Sequence, residues 1–247
     1  FAPWQVATRA VPAGGGFRLD GDKCFVLDGH GADRLLVLAR TSGEPGMRAG
    51  LTLFLLDPRT PGVETLHTPL IDVRNAAQIR LRGVQVPADQ VVGAVGAAAD
   101  LLDPVFDGAC AGLAAELLGV LSEAFDRTVA YLRVRRQFGV LIGSFQALQH
   151  RAADLFCERE LAASVTLAAL RALDEKRPDA ALLASAAKAR TSDAANLIGR
   201  EAIQMFGGIG MTDEEDIGLY MKRARAAETT LGDGVWHRER FAVLNDY

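Results

Sequence analysis

Two hydrophobic periods divide the chain. From about residue 8 to residue 93, apolar and polar positions alternate in short runs. In AAQIRLRGVQVP, Ile79 and Leu81 alternate with Arg80 and Arg82, and Val84 and Val86 extend the pattern. A period of two buries one strand face and wets the other. DRLLVLAR and LTLFLLDP are short apolar runs bounded by Gly, Pro and Asp. GFRLDGDKCFVLDG reads as two strands joined by a turn at Asp20-Gly21. Several short strands at this spacing predict a small antiparallel β-sandwich or barrel.

Past Gly93 the period becomes helical. Asp103-Pro104 offers an N-cap followed by a proline at the first helical position, and the run from there continues to about Arg136. A second helix is predicted from Ser144 to a stop before Pro178, with Leu148, Leu155, Leu161 and Leu170 on its apolar face. A third ends at Phe206 and is closed by Gly207-Gly208. Thr212 to Glu215 fits a capping box that opens a fourth, and a short fifth follows Gly234. The expected fold is α+β: a β domain over residues 1–95, then an antiparallel helical bundle over 96–247, joined through GAVGAAAD.

Composition narrows the function classes. The 247 residues are 49% hydrophobic and 23% charged, an ordinary globular balance. A net charge of −4 disfavours nucleic acid as a partner. Cys24, Cys110 and Cys157 are odd in number and far apart, which predicts neither a disulfide framework nor a metal site, and fits a reducing, cytoplasmic compartment. No apolar run is read as reaching the roughly 20 residues of a membrane span. FAPWQVATRAV lacks the charged region and apolar core of a signal peptide, has no Met, and begins in mid-pattern.

Single motifs leave the chemistry open. RRQFG, Arg135–Gly139, places cations at a helix C-terminus, where the macrodipole favours them with or without an anion. QMFGGIGMT has glycines after a helix rather than between strand and helix, so a helix cap accounts for them as well as a phosphate loop does. His30, His67, His150 and His237 have no metal-ligand spacing, and His150 reads as a packed or interhelical residue. Asp213–Asp216 is an acidic run at a helix start, where carboxylates are favoured anyway. In TTLGDGVWHRER, Asp233 is a catalytic acid, a ligand-loop residue or a turn.

The order and spacing of the motifs carry more. A β half, then RRQFG, then FQALQHRAADL, then QMFGGIGMTDEEDIGLYMKRARA resembles the acyl-CoA dehydrogenase family over essentially the whole chain. AQIRLRGVQVPADQVVG is similar to the segment that closes the family's β domain. The resemblance implies FAD as cofactor, an acyl-CoA thioester as substrate, and an electron-transferring flavoprotein or similar acceptor. It implies a homo- or hetero-oligomer, dimeric or tetrameric; the scattered histidines and the acidic run at a helix start give no metal site. By the same resemblance Arg135, Gln137, Phe138, Gln146, Gln204, Gly207 and Gly208 reach a neighbour's FAD. It also implies an N-terminal helical domain and a flavin-binding Thr-Glu-x-Gly-x-Gly-Ser-Asp segment ahead of Phe1.

Two departures follow. Where the family carries Trp-x-Thr beside the flavin, this chain has Phe25 and Leu27; Phe can cover a ring, but Leu cannot donate a hydrogen bond. The glutamate that takes the α proton is expected 27 residues past Gln204, at Leu231, and the alternative position early in the first long helix is Ala109. Losing a positioned base costs on the order of 100- to 10,000-fold. Three readings result: a base-lacking subunit of a heteromeric dehydrogenase, similar to those of steroid-degrading bacteria; an active enzyme with a displaced base, Asp233 before Glu228 or Glu116; or a flavin-free acyl-CoA-binding or scaffold subunit.

Overall fold

One continuous sheet gathers the strands of the β region. In a computed structural model covering residues 1–247, β1 (Arg9–Ala13), β2 (Gly16–Leu27), β3 (Leu35–Arg40), β4 (Leu51–Leu56), β5 (Val63–Pro69), β6 (Asn75–Pro87) and β7 (Val91–Val92) lie in the order β5-β6-β2-β1-β3-β4-β7. All neighbours are antiparallel except β1 and β3, which meet in parallel at Arg9 and Arg40. The expected turn at Asp20-Gly21 is instead a bulge within β2. The hairpin turn lies earlier, at Gly14-Gly15, whose φ of 57° and 82° suit a two-residue connection that residues with side chains disfavour. Gly21 is required for packing, because a Cβ there would lie 2.7 Å from Thr8 Cα.

β4 explains the unbroken apolar run LTLFLL. Phe54 and Leu56 join Leu19, Ile79, Leu81 and Val84 in one core cluster, while Leu51 and Leu53 join Val6, Ala98 and Ala99 in another. Arg40 is buried at the strand end, where its guanidinium donates to the carbonyls of Val6, Trp4, Ser42, Met47 and Ala49. Residues 2–105 form one compact unit; residues 106–247 with Phe1 form the other. The division falls inside the first long helix because Ala98, Ala99 and Leu102 pack into the second sheet cluster.

The second unit contains most of α1 (Ala98–Val134), then α2 (Gln146–Asp174), α3 (Ala180–Phe206), α4 (Ile217–Thr229) and α5 (Gly234–Leu244). Three helix starts differ from the sequence expectation. Asp103 does not cap α1, because its carboxylate takes a 2.6 Å bond from Arg48; the helix begins at Ala98 and Pro104 lies inside it. Ser144 belongs to a 3-10 turn and its Oγ donates back to Leu141 O, so α2 begins at Gln146. Thr212 Oγ1 donates to Ile209 O and closes the turn after α3, so no capping box forms and α4 begins at Ile217.

The core joins Leu117, Leu121 and Phe125 of α1 with Leu155 of α2, Ile198 and Met205 of α3, and Ile217 of α4. The buried stripe of α2 follows Leu155, Ala162, Thr166, Ala169 and Ala172, one step off Leu161, which is exposed. By length and composition alone α1 could cross a membrane; its Leu117, Leu121 and Leu132 are buried in the helical core.

Candidate functional site

The two motif segments meet in the helical unit. α1 ends at Val134, and Arg135 N still donates to Tyr131 O at 2.9 Å. Beyond it β8 (Arg136–Gln137) and β9 (Val140–Leu141) form a small hairpin, so the RRQFG segment lies past the helix rather than within it. The hairpin turn is Phe138-Gly139, at φ 54° and 80°. A phenylalanine is held there in a left-handed conformation with 90% of its surface exposed. α3 ends on Gly207 at φ 70°.

Together these ends enclose a cleft of about 350 Å³. Arg135 and Gln137 line it from one motif, Gly207 and Gly208 from the other. Its apolar wall includes Tyr131 and Phe206, stacked with centroids 4.3 Å apart. Arg135 has no carboxylate partner, and a Cβ at Gly207 or Gly208 would meet nothing within 4 Å. A free guanidinium, a side-chain amide and open glycine backbone beside aromatic rings suit an anionic group attached to a flat, apolar body. Gln204, Phe138 and Gln146 are exposed and do not line the cleft. His150 is exposed on α2 rather than packed.

The second focus is the loop between α4 and α5. Asp233 is the N-cap of α5, and its carboxylate accepts from Trp236 N at 2.9 Å. That backbone bond holds the carboxyl below its usual range. Leu231 has φ 60°, and a Cβ on Gly232 would lie 2.7 Å from the Trp236 ring. His237 Nε2 donates to Leu231 O at 3.1 Å. The same nitrogen lies 3.9 Å from Sγ of Cys110, the residue after Ala109. One imidazole therefore links the segments carrying the two expected glutamate positions, and both positions hold apolar residues. Burial beside Lys188 lowers the His237 pKa to about 4, and burial raises the Cys110 thiol to about 11. Glu116 pairs with Arg223 through two bonds of 2.7 and 2.9 Å, and Glu228 pairs with Arg225.

In the sheet unit, Phe25 sits where β2 shifts register between Lys23 and Val26. It too is left-handed, at φ 51°, and 65% exposed; Leu27 nearby is also exposed. Seven non-glycine residues have positive φ, and Phe25, Phe138 and Leu231 are three of them. Conformations of this kind persist where the surrounding structure over-determines them.

Sequence reasoning missed Lys188 and Tyr131 and left His237 unassigned. Lys188 had a readable signal. It is the lone lysine in LLASAAKARTSDAANLI, on a face of small residues that includes Ala184, Thr191 and Ser192. Small residues on one helix face mark close packing, and a cation there must find internal acceptors.

A family profile described as "Acyl-CoA dehydrogenase, C-terminal domain" matches residues 104–242. The cyclohex-1-ene-1-carbonyl-CoA dehydrogenase of Geobacter metallireducens is 30% identical over 91% of this chain and 60% of its own length. The structure of butyryl-CoA dehydrogenase from Megasphaera elsdenii superposes with a TM-score of 0.92 at 27% identity, over 98% of this chain and 64% of that one. A variant of the steroid ACAD Tcur3481-Tcur3483 superposes with a TM-score of 0.85 at 31% identity, over 99% and 64%. The chain thus spans less than two thirds of the length of each.

Proposed function

The chain belongs to the acyl-CoA dehydrogenase family, and from that premise we propose that it serves FAD-dependent α,β-dehydrogenation of an acyl-CoA as a subunit lacking its own base. One observation carries the reading. The cleft keeps the donors of the cofactor side, Arg135, Gln137 and the Gly207-Gly208 turn, while Leu231 stands at the expected glutamate position. Bound there, FAD supplies the acceptor for the hydride that leaves the β carbon of the thioester.

The residues of this chain bind and orient. Arg135 and Gln137 offer N–H donors to the pyrophosphate, and Gly207-Gly208 lets it approach the main chain. Phe138, Gln146 and Gln204 extend the same contact surface. Val134, Phe138 and Met211 expose apolar surface that a second subunit covers. The paired names of the steroid ACAD support a heteromeric assembly, and in such an assembly the partner would bring the carboxylate. An electron-transferring flavoprotein or a similar acceptor would be the redox partner. As a base of its own the chain has Asp233 nearest in sequence, with its carboxylate engaged at the α5 cap and weakened by it, while Glu228 and Glu116 are paired with Arg225 and Arg223.

The test is to purify the full-length protein alone and with a co-encoded, glutamate-bearing homologue. Flavin absorbance and acyl-CoA turnover with an artificial electron acceptor are then measured. The expected result is flavin in the pair and turnover at least about 100-fold above the single protein. Comparable turnover by the single protein refutes the base-lacking reading. A pair without flavin supports the scaffold reading instead.

A further inference from the structure

Lys188 lies in the middle of α3 with 0% of its surface exposed. All three ammonium protons are used: Nζ donates to Ser192 Oγ at 3.2 Å, to Glu228 O at 2.9 Å and to Gly232 O at 2.9 Å. Glu228 is in the last turn of α4, where carbonyls lack helical partners and carry partial negative charge. Gly232 lies in the loop beyond. From the other side His237 holds Leu231 O, while its Nδ1 is buried with no partner.

Stability alone does not call for this arrangement. An apolar side chain of similar volume often replaces a buried charge at no loss. A buried ammonium, a bare imidazole nitrogen and a leucine at φ 60° are three unfavourable features gathered around one short loop. They share one product, a fixed main chain at residue 231. Ligand contact does not explain them either, since neither Lys188 nor His237 reaches the surface.

We propose that Lys188 and His237 are positioning residues: they clamp the carbonyls on both sides of the α4–α5 loop and so deliver the side chain of residue 231 to one fixed place. The functional meaning of that place rests on the reading of position 231 given above; the clamp itself does not.

Hydrogen exchange on the full-length protein tests the clamp. Lys188→Met and His237→Phe keep the volume and remove the donors. In either variant, peptides spanning residues 228–236 should exchange about 10-fold faster or more, with the α1 and α2 core unchanged. An unchanged loop overturns the proposal, as does a rise shared equally by all helices. Should Lys188→Met not fold, His237→Phe, which removes the bond to Leu231 O, decides by the same readout. A second arm installs a carboxylate with Leu231→Glu. Acyl-CoA turnover by the flavin-loaded protein should rise about 100-fold or more, and adding Lys188→Met should lower kcat about 10-fold with KM unchanged. No gain from Leu231→Glu refutes position 231 as a base site while the exchange result stands. A gain that Lys188→Met leaves intact overturns the positioning role.

Discussion

The Arg135–Gly208 cleft and the Thr230–Asp233 loop share one helical unit and are finished in opposite ways. In the cleft, the guanidinium and the glycine backbone are left open and the apolar rim is exposed. In the loop, Leu231 O and Gly232 O are bonded, Asp233 is capping a helix, and the groups behind them are buried. The cleft exposes donors that, on the proposed reading, meet an anion. The loop carries only a frame, and the residue it frames is inert. On the proposed reading of position 231, geometry and chemistry at one site come apart, and the two must be assessed separately.

Acid should separate the regions most strongly. Folded His237 binds its proton only near pH 4, whereas the unfolded chain takes one near 6.5. The unfolded state holds more protons between those values, so stability is full above about 6.5 and falls as pH drops towards 4. The loss is on the order of 3 kcal/mol. Urea unfolding at pH 7 and pH 4.5 should show it, and His237→Phe should flatten it. An equal acid loss in that variant would place the acid-sensitive group elsewhere and break the contrast.

A smaller effect belongs to the cleft. Arg135→Ala should weaken FAD binding roughly 10- to 100-fold, as expected for one charge-assisted donor, and leave the unfolding midpoint unchanged. If titration shows unaltered affinity and a lowered midpoint, the arginine is structural and the cleft resembles the loop. The smallest effect is that of Asp233→Ala, which should cost about 1 kcal/mol of stability through the lost cap. Turnover of the assembled enzyme should not change. A drop of 100-fold or more in turnover would instead make Asp233 the base.

The period change near Gly93 separates strands from helices, whereas the compact units divide later, between Val105 and Phe106 inside α1; the motif order brought the cleft residues into one group. Arg135, Gln137, Gly207 and Gly208 could be placed together because resemblance relates residues that are far apart in sequence. Local capping signals were less reliable. Asp103, Ser144 and Thr212 all read as helix starts, and each hydrogen-bonds elsewhere: to Arg48, Leu141 and Ile209. A cap depends on which donor is nearest in three dimensions, and that is not written in four adjacent residues. Asp20-Gly21 misled for a related reason, since the Gly14-Gly15 pair just upstream fits the turn better and leaves Gly21 for the close approach of Thr8. The Lys188 clamp was hidden because the two acceptors that fix the loop are main-chain carbonyls, which every residue has.

That last property bears on descent as well as on structure. A clamp that grips carbonyl oxygens is indifferent to the side chain they belong to. Position 231 can thus change identity over generations without disturbing the helices around it. In a lineage with duplicated copies, one could lose its carboxylate while keeping its fold, its cleft and its usefulness to a sister chain. The same indifference leaves the way back open, by a change of one residue.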